Sequence, residues 1–341
     1  MFKDKFYLQF SATLFLSGTI FFSGCFSVKT KVEKPVLPKL ETATQAQLKD
    51  EINRFARINS MRAKMDLKFE DNSFAELGVA EQYRSADGEI VVQRPANILL
   101  KIQVPFVKSD IVQMTSDGTH FRVAVIEDGA GGKFRNFVLG TNNADYSKLQ
   151  EAVGVMNVAD DREREIRKNA KAFSNLRPQH FTEAILMNPV DGEKLYVQSE
   201  FFQEEFDPMA RKKSPIARIM RGYYLLDELV KNADGSLSLS RRFWFDRVGL
   251  IRLARQQIYD VQGNLDSDIT YGKEARFTEN GEYSLPLRIE VIRPKEKYKM
   301  SLTHQTPEAV SVGKTYNADV FILQNRWNLP EVDLDKKIQG R

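Results

Sequence analysis

The stretch GEIVVQRPANILLKIQVP, residues 88–105, followed by DIVQMTSDGTHFRV, residues 110–123, decides the fold of this chain. Within it Leu100, Ile102 and Val104 alternate with polar residues, and this period of two is typical of a strand with one buried face. The Ser-Asp-Gly-Thr sequence at 116–119 then predicts a tight turn, because Asp-Gly tolerates the positive φ angles of a hairpin. The stretch therefore predicts an antiparallel meander.

The same period of two recurs on both sides of this meander. Further strands are expected at residues 63–69, 195–202, 223–229, 237–245, 250–259, 285–291, 298–302 and 320–323. In the strand at 250–259 the apolar positions change face between Leu253 and Ile258, which predicts a β-bulge that curves the sheet. The simplest architecture is a single, strongly curved sheet.

Helices are predicted at two places. Residues 44–47 fit a capping box and precede Leu48, Ile52 and Phe55 at helical spacing, so we expect a helix over about residues 44–58. The charged middle segment, residues 142–194, favours one or two more helices, the last of them after a break at 176–178. The predicted fold class is therefore α+β with a curved antiparallel sheet.

Composition is typical of a globular protein with room for a sizeable core. The chain has 341 residues, of which 42% are hydrophobic and 28% charged. The 50 basic residues barely exceed the 46 acidic ones, and the net charge of +4 is spread along the chain. Because a nucleic-acid-binding protein needs a concentrated basic surface, no nucleic-acid partner is expected.

The N-terminus resembles a bacterial lipoprotein signal. Two early lysines precede a mostly apolar run at residues 6–22, and Phe-Ser-Gly-Cys follows at 22–25 like a lipobox. This resemblance implies removal of residues 1–24 and attachment of lipid to Cys25, the single cysteine of the chain. The alternative is an incidental free cysteine behind an ordinary signal. Phe26, rather than aspartate, follows the cysteine, which favours the outer membrane.

Four segments follow from these patterns. Residues 1–24 are the signal peptide, residues 25–43 a lipidated tether, residues 44–330 the folded domain, and residues 331–341 a polar C-terminal tail. Within the folded domain, Phe74 and Leu77 lie in a segment expected to be a loop. Uncovered apolar residues in a loop are a candidate membrane-contact site.

The short sequence motifs do not match the catalytic patterns that they resemble. The glycines at 129–132 precede Lys133 but lack the spacing and the hydroxyl of a phosphate-binding loop. The Asp-Ser-Asp-Ile-Thr sequence at 266–270 matches a short phosphatase pattern, but it follows a turn late in a meander instead of a buried parallel strand. Asp227 and Glu228 are adjacent on a strand, so they should point to opposite faces. We therefore expect a non-catalytic protein.

Metal and cofactor sites are likewise not predicted. The three histidines, at positions 120, 180 and 304, form no metal-binding pair, and the cysteine is assigned to lipid. No nucleophile-elbow motif is present in the sequence. No cofactor and no metal are therefore expected.

The meander, together with RFWFDRVGLIRLARQQIYDVQGNLDSDITYG at residues 242–272, resembles the LolA and LolB lipoprotein-localisation families. The similar features are an Arg-Pro step, a proline bend, a Ser-Asp-Gly hairpin, and later Asp-x-x-Gly-Leu and Tyr-Asp-x-x-Gly hairpins, over about residues 44–323. The resemblance implies a LolA/LolB-like unclosed half-barrel packed over α-helices, with an apolar cavity for acyl chains. The middle segment is longer than in those families.

The apolar strand positions then become candidate lipid-binding residues. They are Leu100, Ile102, Val104, Met114, Phe121, Val123, Phe243, Phe245, Ile289 and Val291. These side chains either line a cavity or fill a packed core, because both need one apolar face per strand. Two functional hypotheses follow: a carrier or receptor of acyl chains or lipoproteins, or a structural envelope lipoprotein that binds a protein partner.

Overall fold

The computed structural model describes residues 38–71, 81–82, 86–103, 109–128, 132, 135–142, 144, 177–206 and 218–339. The chain divides into two compact units. The larger unit comprises Pro38–Gln203 and Arg221–Arg341, and it holds all the helices and nearly all the strands described below. The smaller unit contains Glu204–Met220, and there Arg218 Nη1 lies 2.8 Å from Glu204 Oε1.

Three α-helices and eighteen strands are found in the described residues. The helices are α1 (Gln45–Ala56), α2 (Pro178–Ile185) and α3 (Leu334–Gln339). The first nine strands are β1 (Ser60–Asp71), β2 (Glu81–Gln82), β3 (Ala86–Gln93), β4 (Asn97–Gln103), β5 (Asp110–Asp117), β6 (His120–Val125), β7 (Phe137–Thr141), β8 (Leu195–Phe206) and β9 (Arg218–Lys231). The other nine are β10 (Leu237–Asp246), β11 (Arg252–Tyr259), β12 (Leu265–Tyr271), β13 (Glu274–Phe277), β14 (Tyr283–Pro286), β15 (Arg288–Arg293), β16 (Tyr298–His304), β17 (Ser311–Val312) and β18 (Glu331–Asp333).

One large sheet dominates the larger unit. Its strand order is β18-β7-β6-β5-β4-β3-β1-β16-β15-β12-β11-β10-β9-β8, with β2 and β17 pairing beside β1. The ladders from β7 to β1, from β1 through β16 to β12, and from β12 to β9 are antiparallel, whereas β18 pairs with β7 in parallel. Strands β13 and β14 form a separate small ladder. The sheet is curved and unclosed, because β8 and β18 stand at its two ends among the described residues.

The predicted meander is confirmed. Strands β3 to β6 are consecutive neighbours, and Leu100 aligns with Met114, which in turn aligns with Val123. The turn between β5 and β6 places Gly118 at a φ of 91°, a conformation that glycine adopts without steric cost. The alternation seen in the sequence therefore corresponds to one buried face, here called the inner face.

The predicted first helix is also confirmed. Gln47 N donates to Thr44 Oγ1 and Thr44 N donates to Gln47 Oε1, so the capping box is complete. Leu48, Ile52 and Phe55 are buried and join the apolar core of the inner face. At about 1.5–3 kcal/mol for each large apolar side chain, their burial exceeds the contribution of the cap.

Helix α2 covers another part of the inner face. It begins at Pro178, where the sequence predicts a break, and Phe181, Ala184 and Ile185 are buried in the same core. The rest of the predicted helical region, residues 145–176, lies outside the described residues. The described fold is therefore mostly sheet with few helices; α1 and α2 supply buried side chains to this core, and Leu334 of α3 packs against it.

The predicted bulge lies in β11. Trp244 aligns with Arg255 and Phe245 aligns with Leu253, which leaves Ala254 as the extra residue. A second irregularity follows between Ile258 and Tyr259. Bulges increase the local twist, so both contribute to the curvature of this half of the sheet.

At both ends of the folded domain the structure differs from the secondary structure predicted from the sequence. Residues 320–323, predicted to form a strand, instead contain the end of a short 3₁₀ helix, Ala318–Phe321, so this prediction was wrong. Phe321 is buried there, which explains its apolar signal. The segment predicted as a polar tail contains β18 and α3. At the other end, Leu40 forms a bridge with Val248, although residues 25–43 were predicted to be a tether.

Candidate functional site

A cavity in the described part of the chain, here called the larger cavity, has a volume of about 670 Å³. Residues 188–192 form one wall, and the inner-face residues Glu228, Arg241 and Ile258 form part of the other. This volume lies within the range of about 300–1,000 Å³ that is usual for small-ligand sites. The cavity is therefore the candidate functional site.

The loop after α2 is held in place by polar contacts. Arg94 Nη2 donates to the Met187 carbonyl at 2.6 Å, and Arg94 Nε donates to the Ile58 carbonyl at 3.0 Å. Val190 N donates to Asn53 Oδ1 of α1 at 3.1 Å. Because these contacts join the loop to α1 and to the end of β3, the cavity wall is tied to the main domain.

Arg241 connects the same loop to the sheet. Its Nη1 donates to the Asn188 carbonyl at 3.0 Å and its Nη2 to the Pro189 carbonyl at 3.1 Å. Its Nε donates to Glu228 Oε1 at 2.9 Å. One guanidinium group therefore bridges the loop and strand β9.

Glu228 accepts hydrogen bonds from four side chains. Lys194 Nζ lies 2.8 Å from Oε1, Ser240 Oγ donates to Oε1 at 2.7 Å, and Tyr196 Oη donates to Oε2 at 2.7 Å. Burial alone would raise the pKa of Glu228, but the hydrogen bonds and charges of Arg241 and Lys194 outweigh it and lower that pKa to about 2. The carboxylate is thus ionised at neutral pH.

The cavity also has an apolar side. Val190 and Ile258 line it, are partly buried, and pack against the large core cluster of the inner face. The charged Lys194 and Asp191 lie on the same lining, and Lys194 is about a third exposed. The lining therefore combines two apolar side chains with several charged ones, which suits a ligand with both an apolar and a polar part.

The second cavity is smaller, about 200 Å³, and lies near the other end of the sheet. It is lined by parts of β6 and β7 together with Asp333 and Asp335. Of the nine predicted lipid-binding residues that the structure describes, Phe121 alone lines one of these two cavities. We do not assign it a ligand.

The predicted lipid-binding residues lie together in one packed cluster. All nine described members are at most 4% exposed and belong to the core that α1 and α2 also enter. The tenth, Val104, lies outside the described residues, as do Phe74, Leu77 and Cys25. The structure thus brings the strand positions together on one face, beneath helices and next to the larger cavity.

The paired acids behave as the strand geometry predicts. Asp227 accepts from Arg242 at 2.6 Å on the outer face, and Glu228 faces Arg241 on the inner face. The sequence did not identify either arginine as a partner of these acids. The partners are 13 to 15 residues apart on neighbouring strands, and a bulge between Leu239 and Arg241 decides which residues of the two strands lie opposite each other. The Asn-Pro at 188–189 and Gly192 were available as loop signals.

The carboxylates of the phosphatase-like pattern are engaged in ion pairs. Arg293 Nη1 donates to Asp266 Oδ2 at 2.9 Å, and Arg255 Nε donates to Asp268 Oδ1 at 2.6 Å. In the described ranges, no group of three or more His, Cys, Asp or Glu side chains is arranged to hold a metal ion. Among the helices described, none is long and apolar enough to cross a membrane.

The described histidines lie in different surroundings. His180 of α2 is buried and its Nδ1 contacts the Tyr298 hydroxyl, and burial followed by the charges of Arg293 and Arg177 lowers its pKa. His304 is also buried, packs its ring edge-on against Phe277 at 4.7 Å between centroids, and has a pKa lowered by burial to about 4. Both rings are therefore neutral parts of the core at pH 7.

Comparison with known proteins finds solved structures that are similar to this chain only at low sequence identity and low TM-score. A DUF1329 family protein from Desulfovibrio piger is 11% identical with a TM-score of 0.39, over 81% of this chain and 94% of that one. A LolA superfamily protein from Nitrosomonas europaea is 12% identical with a TM-score of 0.38, over 82% and 99%. An outer membrane lipoprotein-sorting protein domain from Vibrio parahaemolyticus is 9% identical with a TM-score of 0.36, over 81% and 94%.

No family model matches the chain, and no curated protein matches it. With TM-scores of 0.36 to 0.39, these solved structures do not indicate a ligand for this chain.

Proposed function

We propose that this protein is a non-catalytic envelope lipoprotein that binds acyl chains of lipids or lipoproteins at the larger cavity and the adjoining inner face. The single observation that carries the proposal is the amphipathic lining of this cavity. Val190 and Ile258 of the lining pack against the core, while Lys194 and Asp191 supply charges to the same lining. An acyl chain on the apolar side would leave its polar head beside those charges.

The proposed location follows from the N-terminal sequence. Residues 1–24 would be removed, and lipid on Cys25 would anchor the protein to the outer membrane, facing the periplasm. The segment that contains Phe74 and Leu77, predicted from the sequence to be a loop, would be a second membrane contact. Lipid or lipoprotein would be the partner, and no enzymatic step is required.

A second candidate function is supported by the packing of the inner face. Nine predicted lipid-binding residues are at most 4% exposed and pack together with α1 and α2, as they would in a filled core. A structural or assembly lipoprotein with a filled core would need no such movement. That protein would bind an envelope partner instead of a lipid.

The test uses the full chain with Cys25→Ser, so that covalent lipid does not interfere. Organic extraction and mass spectrometry should recover about one acyl lipid per protein, and a fluorescent fatty acid should bind the delipidated chain. Ile258→Trp should reduce probe affinity at least tenfold by filling the cavity, at nearly unchanged melting temperature. Ile292→Trp is the matched control, because Ile292 is 38% exposed on β15, away from the cavity.

Three outcomes separate the two functions. Recovered lipid and loss of probe binding in Ile258→Trp alone support the carrier. No recovered lipid and no probe binding contradict the carrier and favour the structural lipoprotein. An equal loss of probe binding in both tryptophan variants would also contradict the carrier function, because binding would then not depend on this cavity.

A further inference from the structure

Two opposite charges on the lining of the larger cavity belong to one turn of the chain. Residues 191–194, Asp-Gly-Glu-Lys, form this turn, and Lys194 N donates to the Asp191 carbonyl at 3.3 Å. Such a bond closes a β-turn, in which the first and fourth Cα atoms lie within about 7 Å of each other. Asp191 and Lys194 both line the cavity, so their charges start from neighbouring points. We call residues 191–194 the charged turn.

The charged turn is fixed to the rest of the domain. Asp191 N donates to Tyr196 Oη at 3.0 Å, and the same hydroxyl donates to Glu228 Oε2 at 2.7 Å. Tyr196 is itself held, because Gln45 Nε2 of α1 donates to its carbonyl at 3.1 Å. At the other end of the turn, Lys194 Nζ lies 2.8 Å from Glu228 Oε1. The turn is therefore in place before a ligand binds, which lowers the entropic cost of binding.

The positive charge of the turn is only partly neutralised. Glu228 is a single carboxylate that faces two cations, Arg241 and Lys194, so this cluster keeps one positive charge. The Arg241 side chain is 9% exposed and also donates to two loop carbonyls, whereas Lys194 is 30% exposed. An ammonium group has three N–H donors, and Lys194 directs one of them at Glu228. Lys194 therefore offers the excess positive charge to the cavity.

The negative charge of the turn is not neutralised by a cation. Asp191 Oδ1 accepts from Glu193 N at 3.0 Å, a backbone bond that brings no positive charge. Asp191 is exposed, and its carboxylate forms no ion pair within the described ranges. The lining thus presents one available charge of each sign, a few ångströms apart and beside the apolar Val190 and Ile258.

We propose that the larger cavity selects a zwitterionic lipid whose head carries a phosphate and a primary ammonium group, as in phosphatidylethanolamine. This inference rests on the proposed binding of acyl chains and names the head group that the same site prefers. The phosphate pairs with Lys194 and the ammonium with Asp191, while the acyl chain lies beside Val190 and Ile258. A two-carbon link joins the two charged groups of the lipid, so both are within reach of side chains from one β-turn.

Head groups with a single charge match this lining less well. A fatty acid or phosphatidylglycerol has a negative group that pairs with Lys194 but lies close to the carboxylate of Asp191. A cationic amphiphile pairs with Asp191 and lies close to Lys194. Like charges placed side by side weaken binding, and a zwitterion avoids both conflicts. Lipids with one charge still bind through the acyl chain, but with lower affinity.

The first test compares two ligands on the delipidated full chain carrying Cys25→Ser. Lauroyl lysophosphatidylethanolamine and its N-acetyl derivative have the same chain and phosphate, but the derivative lacks the ammonium charge. In displacement of a fluorescent fatty acid, the parent lipid should bind about three- to fivefold more tightly, as expected for one exposed ion pair. Equal affinities would overturn the head-group preference and leave the acyl site in place. Binding of neither ligand would overturn the acyl site and the preference together.

The second test uses two neighbouring acids of the charged turn. Asp191→Asn keeps an acceptor for Glu193 N and should make the two ligands bind equally. Glu193→Gln is the matched control, because Glu193 is exposed in the same turn but does not line the cavity, and it should keep the preference. A preference that persists in Asp191→Asn, or that disappears in both variants, would overturn the proposal.

The third test addresses the phosphate. Lys194→Gln should weaken the parent lipid and its N-acetyl derivative by a similar factor, because both retain the phosphate. Lys64→Gln, at an exposed position of β1 outside the lining, should weaken neither. Melting temperatures show whether each variant is folded, and the Asp191→Asn comparison decides alone if Lys194→Gln is unfolded. Unchanged binding of both ligands to a folded Lys194→Gln variant would overturn the proposal.

Discussion

Glu228 and Arg241 face each other across β9 and β10 with almost no exposure of either side chain, 0% and 9%. Arg241 also donates to two carbonyls of the loop that walls the larger cavity. The ion pair therefore supports both the inner face and the candidate ligand site. Its loss should be measurable in stability as well as in binding.

Glu228→Ala should lower the free energy of unfolding by about 3–5 kcal/mol, because it leaves a buried guanidinium without its counter-charge. Glu290→Ala is the control, since Arg288 beside it is 52% exposed and such surface pairs contribute about 0–1 kcal/mol. Urea unfolding of both variants provides the comparison. Equal losses would show that burial does not govern the strength of this pair.

Acid should weaken the fold through the same carboxylate. The folded-state pKa of Glu228 is about 2, below its ordinary value of 4.5, so its contribution to stability is present above about pH 4.5 and is lost as the pH falls toward 2. Glu228→Gln removes this titration. We expect urea midpoints of the wild type to fall more steeply than those of the variant over this window, and parallel curves would contradict the assignment.

His304 should add a second acid-sensitive step at higher pH. Burial lowers its pKa to about 4 from 6.5, so the neutral ring stabilises the fold above pH 6.5 and this contribution is lost as the pH falls through 4. His304→Phe should flatten the melting temperature between pH 6.5 and 4. His120→Gln is the control because that ring is 57% exposed, and flattening by both changes would count against burial as the cause.

Val123→Trp tests whether the centre of the inner face is full. Val123 is 0% exposed in the core, so an indole at this position should overpack it and cost about 1–3 kcal/mol or more. Val261→Trp, at a site 87% exposed, should cost almost nothing. A stable Val123→Trp variant with reduced fatty-acid binding would instead reveal free volume among the strands.

Lipid attachment at Cys25 is testable in cells. Cys25→Ser should abolish incorporation of labelled palmitate and leave the folded domain intact, because no other cysteine is present in the chain. Incorporation is followed by gel fluorography, and folding by circular dichroism. Label in the Cys25→Ser protein would contradict the lipobox assignment.

Sequence periodicity was sufficient for the strands and helices whose apolar residues face one core. It located the β3–β6 meander, the capping box of α1, the break before α2 and the bulge in β11. It failed at 320–323, where Phe321 is buried from a 3₁₀ turn, since a short apolar run does not distinguish the two conformations.

The candidate site was harder to predict than the fold. The cavity is formed where residues 188–192 cross strands that lie far away in sequence, and Arg241 reaches that loop only because a bulge sets its register. Local patterns contain no information about such contacts. The apolar residues chosen from the sequence belong to the layer beneath the cavity, since periodicity reports burial and not empty volume.

The position of β1 has a consequence for the order in which the chain folds. It is the first long strand of the chain, yet it lies inside the sheet between β3 and β16, with Met65 aligned to His304. The two halves of the sheet are joined only when both ends of the chain are present, and such distant pairings form slowly. We expect a chain that stops before β16 to lack native near-ultraviolet dichroism. A chain exported from its N-terminus, as proposed above, would therefore remain competent for translocation until β16 has passed.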